Sequence, residues 1–209
     1  MALRLMIYDR TCRGRRGLPG LSHAWAAGGR LYHAMGRLDA WCGAASWAEA
    51  LDWLATVRAG EPVAEVQLWM HGRWGQARIA GEALDAAALE PGHPHHARLV
   101  ALRERLVPGG SALFWFRTCE TFGRAEGHAF ARAWTGFFGC RAAGHTHVIG
   151  IFQSGLHLLE PGGTPDWPVD EGMAPGAPRD EAVRTIGAPS RPWSPRTVTF
   201  LAGQVPRGY

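Results

Sequence analysis

Ser111-Ala112-Leu113-Phe114-Trp115-Phe116-Arg117-Thr118-Cys119-Glu120-Thr121-Phe122-Gly123 is the stretch on which the fold turns. Its apolar run, Ala112 to Phe116, shows no alternation, and that suits a central strand of a parallel sheet covered on both faces. The run stops at a polar loop that carries Cys119, and a helix-like segment follows from about Arg124. A β-loop-α unit results, with Cys119 at the carboxyl end of its strand. In open α/β sheets ligands gather at that edge, because loops converge there and helix N-termini point into the crevice.

Working outward, Ala64-Glu65-Val66-Gln67-Leu68-Trp69-Met70 reads as a second strand that runs into His71-Gly72-Arg73-Trp74-Gly75. An imidazole is thereby delivered to a strand end as well. If the two strands lie side by side, His71 and Cys119 meet. An imidazole beside a thiol either accepts its proton or, when charged, stabilises the thiolate. The backbone N–H groups of Gly72 and Cys119 are the candidate oxyanion donors, and a glycine after the histidine permits close approach.

At these residues the chain resembles a known family. A strand ending in His71-Gly72, followed by a later strand ending in Cys119, is similar to the arrangement in caspase-like cysteine peptidases. Thr118-Cys119-Glu120-Thr121 resembles the Ala-Cys-Glu-Thr segment of their CHAT branch. Gly127, Phe130, Ala131, Ala133 and Val148-Ile149-Gly150 resemble the helix and strand that trail the cysteine in that branch, so the resemblance spans residues 64 to 155. It implies a three-layer caspase-like α/β fold with a mostly parallel central sheet flanked by helices. It also implies a cysteine endopeptidase (a thiol protease) in which a His71-Cys119 dyad hydrolyses a peptide bond through a thioester. The implied partners are a protein or peptide substrate and an activating protein, with no cofactor. Where caspases proper carry Gln-Ala-Cys, this chain has Arg117-Thr118-Cys119, so caspase specificity is not carried over. A caspase-like protein-binding module without catalysis is the alternative.

The 209 residues, 46% hydrophobic and 19% charged, suit one globular α/β domain over residues 1–209. All 22 basic residues are arginine, and the formal charge of +4 is too small to argue for nucleic-acid binding. Cys12, Cys42, Cys119 and Cys140 show neither CxxC spacing nor a dense disulfide pattern, which fits reduced thiols in a cytoplasmic protein. Ala2 to Ile7 is too short for a signal-peptide core, and no stretch approaches a bilayer-spanning length, so no membrane association is expected. Neither a Gly-x-Gly-x-x-Gly nor a Walker loop is present. His93, His95 and His96 lack an acidic or cysteine partner at diagnostic spacing, and no metal site is assigned to them.

The rest of the chain is read in order. Leu3 to Tyr8 forms a first strand leading into Asp9-Arg10-Thr11-Cys12-Arg13, a loop that in the resembling family helps form the pocket for the residue before the scissile bond. Arg10 and Arg13 there favour an acidic side chain and Asp9 a basic one, and the residues leave both open. Cys12 is the rival thiol. Residues 18 to 45 yield only a possible strand near Arg30 to Ala34. Ser46-Trp47-Ala48-Glu49 is a capping box opening a helix from Trp47 to about Arg58. Gln76 to Ala80 reads as a short strand, and Leu99, Leu102 and Leu106 mark a helix. Another helix runs from Arg124 to Phe138, and His147 to Phe152 reads as a fourth strand, placing Gln153 and Ser154 as substrate-cleft candidates beside Glu120. In that register His145 and His147 fall at the opposite edge. Residues 160 to 195 form a Pro/Gly-rich loop or wrapping segment, and Thr197 to Leu201 a last strand.

Overall fold

The computed structural model of the chain describes residues 2–14, 18–177 and 185–209. The first half contains strand β1 (Leu3–Asp9), helix α1 (Leu21–Ala34), β2 (Ala40–Ala44), α2 (Trp47–Thr56) and β3 (Val63–Trp69). A small three-stranded sheet follows, β4 (His71–Arg73), β5 (Gln76–Ile79) and β6 (Glu82–Leu84), then a 3-10 turn and α3 (His96–Arg103). The second half contains β7 (Leu113–Phe116), α4 (Arg124–Phe138), β8 (Arg141–His145), β9 (Phe152–Gln153), β10 (Leu156–Leu159) and β11 (Val198–Thr199).

Six strands form the central sheet in the order β10-β8-β7-β3-β1-β2. All its pairings are parallel except β10 with β8. Alternate residues of each strand feed different cores. Leu5, Ile7, Val66, Leu68, Phe114 and Phe116 join the large cluster that includes residues of α2, α3 and α4. On the other face, Met6 and Trp69 pack with Tyr32 of α1, while Leu113 and Trp115 meet Val198, Val205 and Tyr209. Burial on both faces is why the β7 stretch reads as unbroken apolar sequence. The architecture is therefore mixed α/β in three layers.

Strands β2 and β10 have no counterpart in the sequence reading, and two further segments differ from it through small residues used for close packing. Residues 21–34 are a helix, not a strand near Arg30 to Ala34. Gly28 and Gly29 dilute the helical signal, yet a Cβ at either would lie 2.7 Å from Trp69 or 2.8 Å from Trp41. The strand that runs parallel to β7 after α4 is Arg141–His145, not His147 to Phe152. Its Ala142-Ala143-Gly144 core lacks a strand signature because the Phe122 ring packs there: a Cβ on Gly144 would come 2.4 Å from that ring. This correction moves His145 and His147 to the same rim as Cys119, since β8 runs parallel to β7.

Smaller differences follow from tertiary pairing. Ser46 Oγ accepts the Glu49 N–H at 3.2 Å as a capping box requires, but Glu49 reaches back to the N–H of Ala45 rather than of Ser46. The last strand is only Val198–Thr199, and it pairs with β9 in a separate two-stranded ribbon. Among the described residues of 160–195 there is no helix or strand. Trp167 nevertheless anchors that segment: it is buried, stacks on Phe122 with planes 4° apart and donates its indole N–H to the Phe122 carbonyl at 2.9 Å. Among the described residues no helix is long and apolar enough to cross a membrane.

The start of α4 is pressed against the turn that carries Cys119, and a Cβ on Gly127 would lie 2.3 Å from the Phe122 backbone carbon. Backbone cannot swing aside as a flexible side chain can. Gly127→Ala is therefore expected to destabilise the fold by about 1–3 kcal/mol. Thermal unfolding should show this as a midpoint lowered by roughly 2–4 °C per kcal/mol; an unchanged midpoint contradicts the packing account.

Candidate active site

Parallel pairing of β3 with β7 sets Leu68 opposite Phe116. His71 and Cys119 each lie three residues beyond that rung, past the carboxyl ends of the two strands. The approach is tight at the next residue. A Cβ on Gly72 would lie 2.3 Å from Thr121 Oγ1, 2.7 Å from Thr118 Cβ and 2.8 Å from the Cys119 carbonyl oxygen. Only glycine fits where β4 crosses the cysteine turn.

That turn is held from several sides. The Thr118 and Thr121 hydroxyls hydrogen-bond to each other, and Thr121 Oγ1 also donates to the Gln76 carbonyl at 3.2 Å. Gly75 N–H donates to the Thr121 carbonyl at 2.8 Å. From β8 and its continuation, the His147 and His145 carbonyls accept the N–H groups of Glu120 and Phe122, each at 3.0 Å. Glu120 takes a left-handed conformation with φ of 54°, a region costly to an L side chain and typical of sites whose surroundings over-determine them.

Cys119 is half-buried, and its sulfur meets the backbone of Ile149, accepting that N–H at 3.4 Å and facing the Ile149 carbonyl at 3.8 Å. Burial pushes the thiol pKa up; the Ile149 N–H opposes the shift and the Glu120 charge adds to it. The resting group is therefore a thiol, and a base must take its proton before it can act as a nucleophile. His71 is exposed, and its ring meets that of Trp25. The other rim histidines are committed elsewhere. His145 is fully buried, with Nδ1 donating to the Ser154 carbonyl at 3.1 Å while Nε2 accepts from Trp115 Nε1 at 3.4 Å. The His147 Nδ1 atom is hydrogen-bonded with Thr146 Oγ1 at 3.0 Å.

The remaining sequence candidates divide sharply. Asp9 does not face a cleft. It is buried, and its carboxylate accepts from Thr11 N–H and Oγ1, from Ala80 N–H and from the Cys12 thiol. Burial raises its pKa, but those donors outweigh burial and hold it below the usual carboxylate value. Cys12 is held towards its protonated form, its pKa pushed up to about 12 by burial and by Asp9. Arg10 is tied to Glu49 and the Gly43 carbonyl, whereas Arg13 is exposed. Glu120 is buried, with its carboxylate beside Arg73, Trp74 and Gly187; burial raises its pKa and those neighbours offset part of the rise.

Gln153 and Ser154 are not cleft residues. Gln153 Oε1 accepts two bonds from Arg117, at 3.1 and 2.9 Å, and Ser154 is enclosed by Ser190, Arg191 and Thr197. Shifting the fourth strand to Arg141–His145 removes the register that put them at the rim. Sequence reasoning missed Arg117 as a structural centre. Its guanidinium, 3% exposed, also donates to Tyr32 and to the Phe200 and Ala202 carbonyls, with Trp69 and Trp115 rings 4.7 and 4.3 Å away. An arginine directly after an apolar strand was the available signal. Among the described residues no cluster of three or more His, Cys, Asp or Glu has metal-holding geometry. No protein-family model matches the chain, and no curated protein matches it either.

Burial holds His145 neutral, lowering its pKa from 6.5 to about 3. Between those values the unfolded chain binds a proton that the folded chain does not. The contribution of neutral His145 to stability is thus complete above about pH 6.5 and shrinks as pH falls towards about 3. Denaturant melts across this range should show falling stability on acidification, with a shallower slope in His145→Asn; equal slopes contradict the assignment.

Proposed function

We propose that this protein is a caspase-like cysteine endopeptidase of the CHAT type, with His71 as base and Cys119 as nucleophile. The observation that carries the reading is the close approach of Gly72, the residue after His71, to the Cys119 carbonyl beyond the ends of the paired strands β3 and β7. The raised thiol pKa gives the histidine a task. His71 takes the thiol proton as Sγ attacks a peptide carbonyl carbon, and the N–H groups of Gly72 and Cys119 stabilise the resulting oxyanion. Collapse breaks the C–N bond, His71 returns the proton to the leaving amine, and an acyl-cysteine thioester remains. Water then attacks, again losing its proton to His71, and the carboxylate product departs with the thiol restored. Substrates in this reading are proteins or peptides. The loop at Arg13, exposed at the end of β1, is the remaining member of the Asp9, Arg10 and Arg13 set free to meet an acidic side chain.

One observation favours a second reading. A thiol kept protonated by burial also suits a caspase-like module that binds a partner through the same rim without cleaving it. An electrophilic acyl probe separates the two. Under the enzyme reading, Cys119 is labelled near neutral pH, and His71→Ala lowers the rate by about 10²–10⁴-fold. In His71→Ala the residual rate should climb with pH beyond 9.0, because the folded thiol ionises above that value. Digestion of a peptide library by the native chain, absent with Cys119→Ala, would establish hydrolysis. Folded, reduced protein that neither labels nor cleaves supports the binding module.

A further inference from the structure

The His71 ring rests against an indole, not against a carboxylate. Trp25 lies on α1, whose sheet-facing positions are Trp25, Gly28, Gly29 and Tyr32, the i, i+3, i+4, i+7 pattern of one helical face. Bare glycine backbone lets this helix settle onto Trp69, the last residue of β3. His71 is only two residues further on, so the same seating brings Trp25 to the start of β4. There the indole and imidazole meet edge to face, with centroids 5.8 Å apart and planes at 77°. The imidazoles that carry a carboxylate are elsewhere: His95 with Glu82 and His157 with Glu171. Among the described residues none forms a hydrogen bond with the His71 ring.

We propose that Trp25 is the positioning residue for His71, its ring fixing the imidazole plane in the role that a third, hydrogen-bonding group holds in a nucleophile-base-orienter arrangement. The catalytic consequence rests on the His71-Cys119 reading above, whereas the contact does not. Edge-to-face packing restrains tilt without engaging either ring nitrogen in a hydrogen bond. The test compares Trp25→Leu and Trp25→Phe in the full chain. In proton NMR, with the His71 ring resonance assigned by its loss in His71→Gln, the indole ring current disappears in Trp25→Leu and the resonance shifts; Trp25→Phe shifts it less. Probe labelling of Cys119 should fall roughly tenfold in Trp25→Leu, as expected for a misplaced base, and less in Trp25→Phe. Thermal melts confirm that both variants are folded, and if Trp25→Leu is not, the phenylalanine variant carries the comparison. An unmoved resonance overturns the contact. A moved resonance with an unchanged labelling rate overturns the positioning role. Labelling already indifferent to His71→Ala defeats the dyad itself, and the resonance then still reports on the contact alone.

Discussion

A guanidinium buried at the end of the central strand sets the terms for the sheet's second face. Arg117 follows Phe116 directly, and among the described residues no carboxylate accepts its hydrogen bonds. A buried cation is costly unless its donors are satisfied. The required acceptors come from distant parts of the chain: the Tyr32 hydroxyl on α1, Gln153 on β9, and the Phe200 and Ala202 carbonyls of the C-terminal segment. Three aromatic rings, those of Tyr32, Trp69 and Trp115, fill the space around it. The cation thus gathers α1 and the chain terminus onto one face, while Phe114 and Phe116 pack into the helices on the other.

With both faces committed, β7 cannot slide, and its polar end must emerge at the carboxyl rim. Two residues after Arg117 stands Cys119. His71 follows the neighbouring strand β3, and the Gly72 crossing locks the β4-β5 hairpin onto the cysteine turn through Thr121. Hydrogen bonds from the β8 side complete the clamp. Trp167 reaches the same turn from the Pro/Gly-rich segment and closes it by stacking on Phe122. That segment, devoid of regular structure among its described residues, is held by its buried tryptophan rather than by backbone pairing alone.

The electrostatics of the rim sort its titratable groups by access. Asp9 is ionised but fully occupied by donors, His145 is neutral and sealed, and Cys12 is a suppressed thiol. Cys119 is also shifted towards its protonated form, and the residue that follows the exposed His71 packs against its carbonyl. Among the described residues the rim therefore carries an exposed imidazole at His71 and two half-buried thiols, Cys12 held protonated beside Asp9 and Cys119 held protonated by burial.

Local pattern alone determined much of this protein. The apolar runs at β1, β3 and β7, the Ser46 cap of α2 and the apolar face of α4 are all legible, since each reflects burial or capping that a short window of residues records. So is the delivery of His71 and Cys119 to strand ends. The helix at Leu21–Ala34 and the strand at Arg141–His145 were hidden, because their glycines stand where the bulky Trp69, Trp41 and Phe122 rings press on the backbone. The acceptors that claim Arg117, Asp9, Gln153 and Ser154 likewise come from residues far along the chain. Only the folded molecule could decide which polar groups were spent internally, since hydrogen bonding and burial are settled by neighbours in space and not by neighbours in sequence.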